Sequence, residues 1–279
     1  MSYKTILLHL NDERRARHLL AHGVQVARGF EAHLIGLHVF PSGMLSTPGP
    51  MRLPAEIVGS IKKRIREEAE RINSAFNELT SNQPFVAEWR NITSERGDPE
   101  AIVASHGRTA DLILASQSDP TWDMSALLDF PERLALASGR PVLMVPNGDR
   151  PATFPKTIVV AWNGSRESAR AVFDALPFLQ RATSVTVLTV DESHTASGTA
   201  LPDVELAASL ARHGVKLTVS KLKPGKHSTG ETIRQTALDL GADLMVLGAF
   251  GRSRLFEFTF GGVTRHLSKT ATIAVLFSH

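Results

Sequence analysis

Short runs of apolar and β-branched residues alternate with longer stretches of helical period along this chain, and the whole pattern occurs twice. Runs of this length predict strands, whereas apolar residues spaced three and four apart predict amphipathic helices. In the first copy we predict strands at residues 5–9, 33–39, 85–91, 112–115 and 141–145. In the second copy we predict them at residues 157–162, 184–190, 215–221, 244–248 and 273–277.

The stretches of helical period lie between these strands. We predict helices at residues 15–28, 55–79, 166–176, 204–213, 231–240 and 263–269. Two starts carry capping signals, because Asp98 precedes Pro99 and Ser228 stands three residues before Glu231. Strand and helix in alternation predict a parallel sheet with helices on both faces. The predicted fold class is therefore α/β.

Two short motifs recur in the same order. The run KTILL at 4–8 returns as KTIVV at 156–160, and ADLIL at 110–114 returns as ADLMV at 242–246. The offsets are 156 − 4 = 152 and 242 − 110 = 132, so the copies differ by 20 residues of loop. We expect two homologous domains, at residues 1–147 and 152–279, joined by turn-forming residues at 146–151. A second loop, 41–54, is rich in Pro, Gly and Ser, and we expect it to form a mobile flap or cover.

Composition narrows the class of protein. The chain has 279 residues, 42% of them hydrophobic and 21% charged, which is typical of a globular protein. Its 31 basic and 28 acidic residues give a net charge of only +3, so we expect no nucleic-acid partner. It contains no cysteine, which excludes disulfides and thiolate metal sites. No apolar run has the length of a signal peptide or a membrane span, so we expect a cytoplasmic protein without a membrane partner.

A glycine pattern in the second copy carries the candidate chemistry. Gly248 ends a predicted strand, Gly251 follows three residues later, and Gly261 and Gly262 stand directly before the predicted helix at 263–269. Glycine lets backbone amides approach a ligand, and a helix N-terminus favours an anion. The pattern therefore predicts a phosphate site.

At this point the chain resembles the universal stress protein family in its tandem form. The nucleotide-binding branch of that family carries Gly-x2-Gly-x9-Gly followed by Ser or Thr. Gly248, Gly251 and Gly261 match this motif, whereas Gly262 replaces the hydroxyl residue, and Val263 and Thr264 then continue the family pattern. The resemblance implies an adenine nucleotide, ATP, in the second copy, and leaves open whether Mg²⁺ accompanies it.

The resemblance extends to the first strand of the second copy. Family members commonly read Val-Ala-x-Asp-Gly-Ser there, and residues 160–165 read VAWNGS, which includes Ala161. Asn163 thus stands where the family's Asp approaches the adenosine, and an amide can hydrogen-bond there as a neutral group. Val190 matches the backbone position that faces the adenine. Arg252, in the glycine loop, either neutralises phosphate or is simply solvated, and both interpretations stay open.

Topology favours the same place. If each copy has the strand order 3-2-1-4-5 of a doubly wound, Rossmann-like sheet of the adenine nucleotide alpha hydrolase type, ligands bind where that order reverses, outside the carboxyl ends of strands one and four. Family members usually pair through their last strands. We expect residues 142–145 and 273–276 to pair within this chain as an intramolecular pseudo-dimer, which would cover two sheet edges.

The first copy lacks the glycine cradle. Ser116 and Asp119 stand where Gly248 and Gly251 stand in the second copy, and a carboxylate at Asp119 would repel phosphate. We therefore expect no family-type nucleotide site there. His9 and His38 end neighbouring strands, and a metal held by them with Asp12 or Asp119 is one hypothesis. Because these two lack the H-x3-H or HExxH spacing, we favour hydrated polar residues, and we assign no role to the other histidines.

No nucleophile elbow or kinase signature occurs, and Ser165 is interpreted as a helix cap rather than a nucleophile. We expect a non-enzyme, and slow ATP hydrolysis stays open. One functional hypothesis is a nucleotide-responsive stress regulator with an unidentified protein partner. The other is a stress-associated interaction module that binds no nucleotide. Whether two chains form a homodimer also stays open.

Overall fold

The computed structural model describes residues 2–41, 54–94, 98–190, 203–223, 226–250 and 262–279. The loop expected at 41–54 falls outside these ranges except at its two ends. In the first half the elements are β1 (Thr5–His9), α1 (Glu13–Phe30), β2 (His33–Pro41), α2 (Ala55–Thr80), β3 (Ala87–Ser94), α3 (Pro99–Gly107), β4 (Leu112–Ser116), α4 (Ser125–Leu128), α5 (Pro131–Ser138) and β5 (Val142–Val145).

The second half repeats this alternation. Its elements are β6 (Thr157–Ala161), α6 (Arg166–Asp174), α7 (Leu176–Leu179), β7 (Ser184–Val190), α8 (Asp203–Arg212), β8 (Leu217–Leu222), α9 (Thr229–Asp239), β9 (Leu244–Gly248), α10 (Gly262–Thr270) and β10 (Ala274–Ser278). The α/β class predicted from the sequence is confirmed.

All described strands belong to one sheet of ten, in the order β3-β2-β1-β4-β5-β10-β9-β6-β7-β8. Each half therefore has the predicted order 3-2-1-4-5, with parallel neighbours. The halves meet where β10 pairs with β5 antiparallel, for example Val275 opposite Met144. The predicted pairing through the last strands is confirmed. Because β5 and β10 are antiparallel, the carboxyl ends of the strands in the two halves point in opposite directions.

The recurring motifs have a shared structural role. Asp111 accepts hydrogen bonds from the backbone N–H groups of Lys4 and Thr5 at 2.7 and 2.9 Å, through Oδ2. In the second half Asp243 accepts the equivalent pair from the backbone of residues 156 and 157, both at 2.9 Å. Each aspartate thus fixes the start of the first strand of its half against the start of the fourth.

Two apolar cores lie on opposite faces of the sheet. One contains buried residues of α1, α2, α6, α7 and α8, and the other those of α3, α5, α9 and α10. The predicted caps are confirmed, since Asp98 accepts from the N–H of Glu100 and Ser228 from that of Glu231. The helix predicted at 166–176 is divided, because α6 ends at Asp174 and Pro177 lies in the next short helix. A proline lacks the N–H that a continuous helix would need.

Side chains also join the two halves. Tyr3 and Phe30 from the first half pack edge-on against Phe178 from the second, with ring centroids 5.5 and 5.0 Å away. On the other face the buried Gln117, directly after β4, donates from Nε2 to the carbonyl oxygens of Ser268 and Ala271 at 3.0 and 3.2 Å. Ser268 lies in the last turn of α10 and Ala271 directly follows the helix, so Gln117 caps a helix of the other half.

Candidate functional site

The reversal of strand order in the second half lies between β6 and β9, where Ala161 pairs with Leu247. The chain leaves β6 through Asn163, which is exposed. The Oδ1 atom of Asn163 accepts from the backbone N–H of Ser165 at 3.1 Å, and Gly164 between them has a φ of 72°. This turn directs the chain into α6, whose N-cap is Ser165, as the sequence predicted. The amide nitrogen of Asn163 makes no hydrogen bond within the described part of the chain.

Gly248 lies at the end of β9 against the start of α6. A Cβ atom built on Gly248 would come within 2.5 Å of the backbone carbon of Glu167 and 2.5 Å of the backbone nitrogen of Ser168. Real Cβ atoms do not approach backbone so closely, so only glycine fits at this position. Sequence reasoning assigned Gly248 to ligand approach and missed this second reason, which needs the position of α6.

The N-terminal turn of α10 contains three of the predicted site residues. Gly262 is exposed and begins the helix, and a Cβ atom there would meet nothing within 4 Å. Val263 is half-buried, whereas Thr264 is buried with its Oγ1 3.5 Å from the backbone nitrogen of Phe250. The first backbone N–H groups of a helix lack intrahelical partners, so this end can bind an anion.

Half-buried apolar side chains form the remaining described part of this candidate site. Ala161, Val190 and Val263 all pack against the core on the α9 and α10 side of the sheet. Trp162, one residue beyond Ala161, is instead buried in the core on the opposite face. The structure thus brings Ala161, Val190 and Val263 to one face. Gly251, Arg252 and Gly261 lie outside the described residues.

The equivalent edge of the first half is filled by the chain itself. Asn11 corresponds to Asn163, and its Nδ2 donates to the carbonyl oxygen of Leu128 at 2.6 Å and to Oδ1 of Asp129 at 2.7 Å. The Asp129 side chain is 0% exposed and also pairs with Arg15 at 2.7 Å. Its Oδ2 accepts from the hydroxyl of Ser125 at 2.7 Å. In the first half, the carboxylate of Asp129 therefore occupies the carboxyl ends of the strands. At the equivalent place in the second half, the amide nitrogen of Asn163 has no partner among the described residues.

The segment after β4 contacts this carboxylate, because the backbone N–H of Asp119 donates to Oδ2 of Asp129 at 3.0 Å. The guanidinium groups of Arg14 and Arg15 lie 5.7 and 5.1 Å from the ring centre of Trp122. Asp119 closes a turn, because its Oδ1 accepts from the backbone and hydroxyl of Thr121. Sequence reasoning named Asp119 but missed Asp129 and Arg15. Asp129 lies more than a hundred residues from Asn11 and Arg15 in the sequence, so no local sequence signal connected these residues.

His9 and His38 are both buried at this edge, 2% and 4% exposed. Burial, with smaller repulsion from His38 and Arg15, lowers the pKa of His9 to about 3. Burial lowers the pKa of His38 to about 4. Asp12, the proposed companion ligand, is ion-paired with Arg14 and Arg15. Within the described ranges no group of three or more His, Asp or Glu side chains is arranged to hold a metal ion.

The strand order and the alternation of strands and helices define a doubly wound α/β protein of two similar halves. Residues 155–279 match the model of the Universal stress protein family. The whole chain is similar in structure to a universal stress protein from Archaeoglobus fulgidus, with 13% identity, a TM-score of 0.67 and coverage of 98% of this chain and 95% of that one. It is also similar to a functionally unknown protein from Pseudomonas aeruginosa, with 15% identity, a TM-score of 0.58 and coverage of 99% and 92%.

These structural similarities concern the fold, since the identities are low. No curated protein sequence matches the chain. None of the helices in the described ranges is long and apolar enough to cross a membrane.

Proposed function

We propose that this chain is a stress-response regulator of the tandem universal stress protein type, whose second half binds an adenine nucleotide, ATP, between β6 and β9. We also propose residues 1–147 and 152–279 as its two domains. The match of residues 155–279 to the Universal stress protein family supports the family assignment of the second half. Nucleotide binding is inferred separately, from the difference between the two halves at the carboxyl ends of their strands.

One observation carries the nucleotide proposal: two equivalent asparagines have different partners. The Nδ2 atom of Asn11 donates hydrogen bonds to Leu128 and Asp129, and these bonds are buried. Asn163 is exposed, and its Nδ2 makes no hydrogen bond to any described residue. An amide nitrogen without a protein partner can donate to a ligand hydroxyl. The N-terminus of α10 can bind a phosphate of the same ligand. This supports one site per chain, in the second half.

The described residues fit an adenine nucleotide. Ala161 and Val190 offer half-buried apolar contacts for a base, and the open first turn of α10 at Gly262 offers backbone donors for phosphate. Arg252, which follows Gly251 in the sequence, would add a cation for the phosphates. Among the described residues no group of three or more His, Asp or Glu side chains is arranged to hold a metal ion, so Mg²⁺ would be held mainly by phosphate and water.

We propose a binding protein rather than an enzyme. Glu167 is a buried acidic residue at the start of α6, and its backbone lies against Gly248. Burial alone would raise the pKa of Glu167, but hydrogen bonds from Arg166 and neighbouring groups lower it overall. A carboxylate with a lowered pKa is a weak general base at neutral pH.

A second candidate function is an interaction module that binds no nucleotide. The observation in its favour is the close approach of Gly248 to the backbone of Glu167, at 2.5 Å from a built Cβ. This packing requires glycine whether or not a ligand binds. One residue of the glycine motif is therefore explained by the fold alone.

Mass spectrometry of small molecules released from the denatured, purified protein separates the two functions. We expect an adenine nucleotide in the wild-type protein and a reduced amount in Asn163→Ala, because that variant removes the exposed amide. Asn147→Ala serves as the matched control for loss of a surface amide remote from this edge. Equal nucleotide content in wild type and Asn163→Ala would argue against the proposed site, and absence of nucleotide from both would favour the interaction module.

A further inference from the structure

Two histidines lie one helical turn apart on α1, away from the candidate nucleotide site. His18 and His22 have the spacing i, i+4, and their ring centroids are 4.6 Å apart with the planes tilted by 59°. Sequence reasoning passed over this pair, although H-x3-H on a helix was a readable signal. Side chains at this spacing share one face of a helix and can bind one metal ion.

Hydrogen bonds fix which ring nitrogens are available. The Nε2 atom of His18 lies 3.2 Å from the carbonyl oxygen of Pro146, and the Nδ1 atom of His22 lies 3.0 Å from that of His18. A carbonyl only accepts, so each of these nitrogens carries the proton in the neutral ring. The lone pairs are therefore on His18 Nδ1 and His22 Nε2. Neither atom has a hydrogen-bond partner among the described residues.

This arrangement is typical of histidines that ligate metals. Such residues donate their second ring N–H to a backbone carbonyl or a carboxylate, which fixes the tautomer and the ring orientation. The two carbonyl hydrogen bonds therefore fix both the tautomer and the orientation of each ring, with His18 Nδ1 and His22 Nε2 left for a metal.

The ring separation agrees with shared coordination. A metal about 2.0–2.1 Å from one nitrogen of each ring, with bond angles of roughly 90–110°, would separate the two centroids by about 4.5–5 Å. The observed separation is 4.6 Å. Arg14 and Arg15, one helical turn before His18, are both paired with carboxylates: Arg14 with Asp12 at 2.8 Å, and Arg15 with Asp12 and Asp129 at 3.0 and 2.7 Å.

We propose that His18 and His22 form a binding site for one divalent transition-metal ion. Imidazole favours Cu²⁺, Ni²⁺ and Zn²⁺, and Cu²⁺ binds most tightly in this series. The described residues provide no third acidic or imidazole ligand in a group that could hold a metal, so water completes the coordination. The site adjoins Pro146, at the start of the connection between the halves, and a bound ion would hold His18 in place against that connection.

Calorimetric titration of tag-free protein with Cu²⁺ tests the proposal. We expect one ion per chain, with an affinity reduced about tenfold or more in His18→Gln and in His22→Gln, since even the hydrogen-bonding partners of metal ligands are worth roughly 10–100-fold. The control is His227→Gln, which removes an exposed histidine and should leave the affinity unchanged. Circular dichroism without metal checks that each variant is folded.

Electron paramagnetic resonance of the Cu²⁺-loaded wild-type protein gives a second result that needs no variant. Two coordinated imidazole nitrogens are expected in the spectrum at one equivalent of Cu²⁺. The proposal is overturned if tight stoichiometric binding persists in the His18→Gln/His22→Gln double variant. It is also overturned if the wild-type spectrum shows fewer than two nitrogen ligands, or if no binding heat is measured. None of these results depends on ATP binding.

Discussion

The Nδ2 atom of Asn11 lies 2.7 Å from Oδ1 of Asp129, and this hydrogen bond joins the end of β1 to the segment that precedes α5. Arg15 approaches the same oxygen at 2.7 Å, and the carboxylate is completely buried. The first half thus supplies its own anion at the edge where a doubly wound sheet usually binds a ligand. The two halves share a topology but differ in what occupies this edge.

Removing that internal carboxylate should destabilise the protein. Asp129→Ala would leave Arg15 and Asn11 without their buried partner, and breaking a buried ion pair costs about 3–5 kcal/mol. We expect a lower urea midpoint at neutral pH. Asp123→Ala, which removes an exposed carboxylate from the same segment, should change the free energy of unfolding by less than about 0.5 kcal/mol. Equal effects of the two variants would contradict this account.

Gly248→Ala should also destabilise the protein, for a steric reason. The added Cβ would lie 2.5 Å from backbone atoms of Glu167 and Ser168, which cannot rotate away. Overpacking of this kind costs about 1–3 kcal/mol. Chemical denaturation measures the loss, and Gly262→Ala is the control because its Cβ would enter open space. A Gly248→Ala variant as stable as wild type would show that α6 can shift.

Gly262→Ser should strengthen ATP binding. A serine hydroxyl at the first turn of α10 adds a hydrogen bond to phosphate worth about 0.5–1.5 kcal/mol, or roughly a two- to tenfold gain in affinity. Gly262→Ala adds the same Cβ without the hydroxyl and should bind as wild type does. Titration calorimetry compares the three proteins. If the serine and alanine variants bind equally, the hydroxyl makes no contact with the nucleotide.

Acid should destabilise the fold through His9 and His38. Burial lowers their pKa values to about 3 and about 4, from 6.5 in an unfolded chain. The unfolded state binds more protons between these values, so stability is fully present above about pH 6.5 and is lost as the pH falls towards 4. Each histidine contributes a slope of up to about 1.4 kcal/mol per pH unit.

Urea unfolding at several pH values across this window measures the slope. His38→Gln should make the dependence of stability on pH shallower, because only His9 of this pair then takes up a proton on unfolding. His227→Gln removes an exposed histidine and should leave the slope as it is. A wild-type stability that stays constant between about pH 6.5 and 4.5 would contradict the assignment of these two buried neutral rings.

Gln117→Ala should weaken the junction between the halves. It removes the donor to Ser268 and Ala271, and an unsatisfied buried polar group costs about 1–3 kcal/mol. Gln180→Ala is a matched control, because exposed Gln180 also donates to a backbone carbonyl, that of His213 at 3.0 Å. Thermal unfolding should separate the two variants. A Gln180→Ala loss as large as that of Gln117→Ala would argue against a special role for the α10 cap.

The sequence predicted the fold well because its signals are local and repeated. The order 3-2-1-4-5, the pairing of the last strands and the caps at Asp98, Ser165 and Ser228 are confirmed. Strand ends were less accurate, and β3 runs from Ala87 to Ser94 instead of 85–91. Its last residues pair with the end of β2 at Pro41, a register that no local pattern encodes.

The candidate site was predictable only in part. Asn163 was proposed from the family resemblance, and Gly248 and Gly262 from the glycine pattern; in the structure they lie after β6, at the end of β9 and at the start of α10. The packing demand on Gly248 and the internal anion at Asp129 depend on distant segments, so they became visible only with the fold. The pair His18 and His22 differs, since its spacing was present in the sequence and was overlooked.

Titration calorimetry of the wild-type protein with ATP and Mg²⁺, repeated with Asn163→Ala, tests the central claim most directly. The account predicts one nucleotide per chain and a clear loss of affinity in the variant, because the open amide of the second half contributes to binding while the first-half edge holds its own carboxylate. Two nucleotides per chain, unchanged affinity in Asn163→Ala, or no heat at millimolar ATP would contradict it.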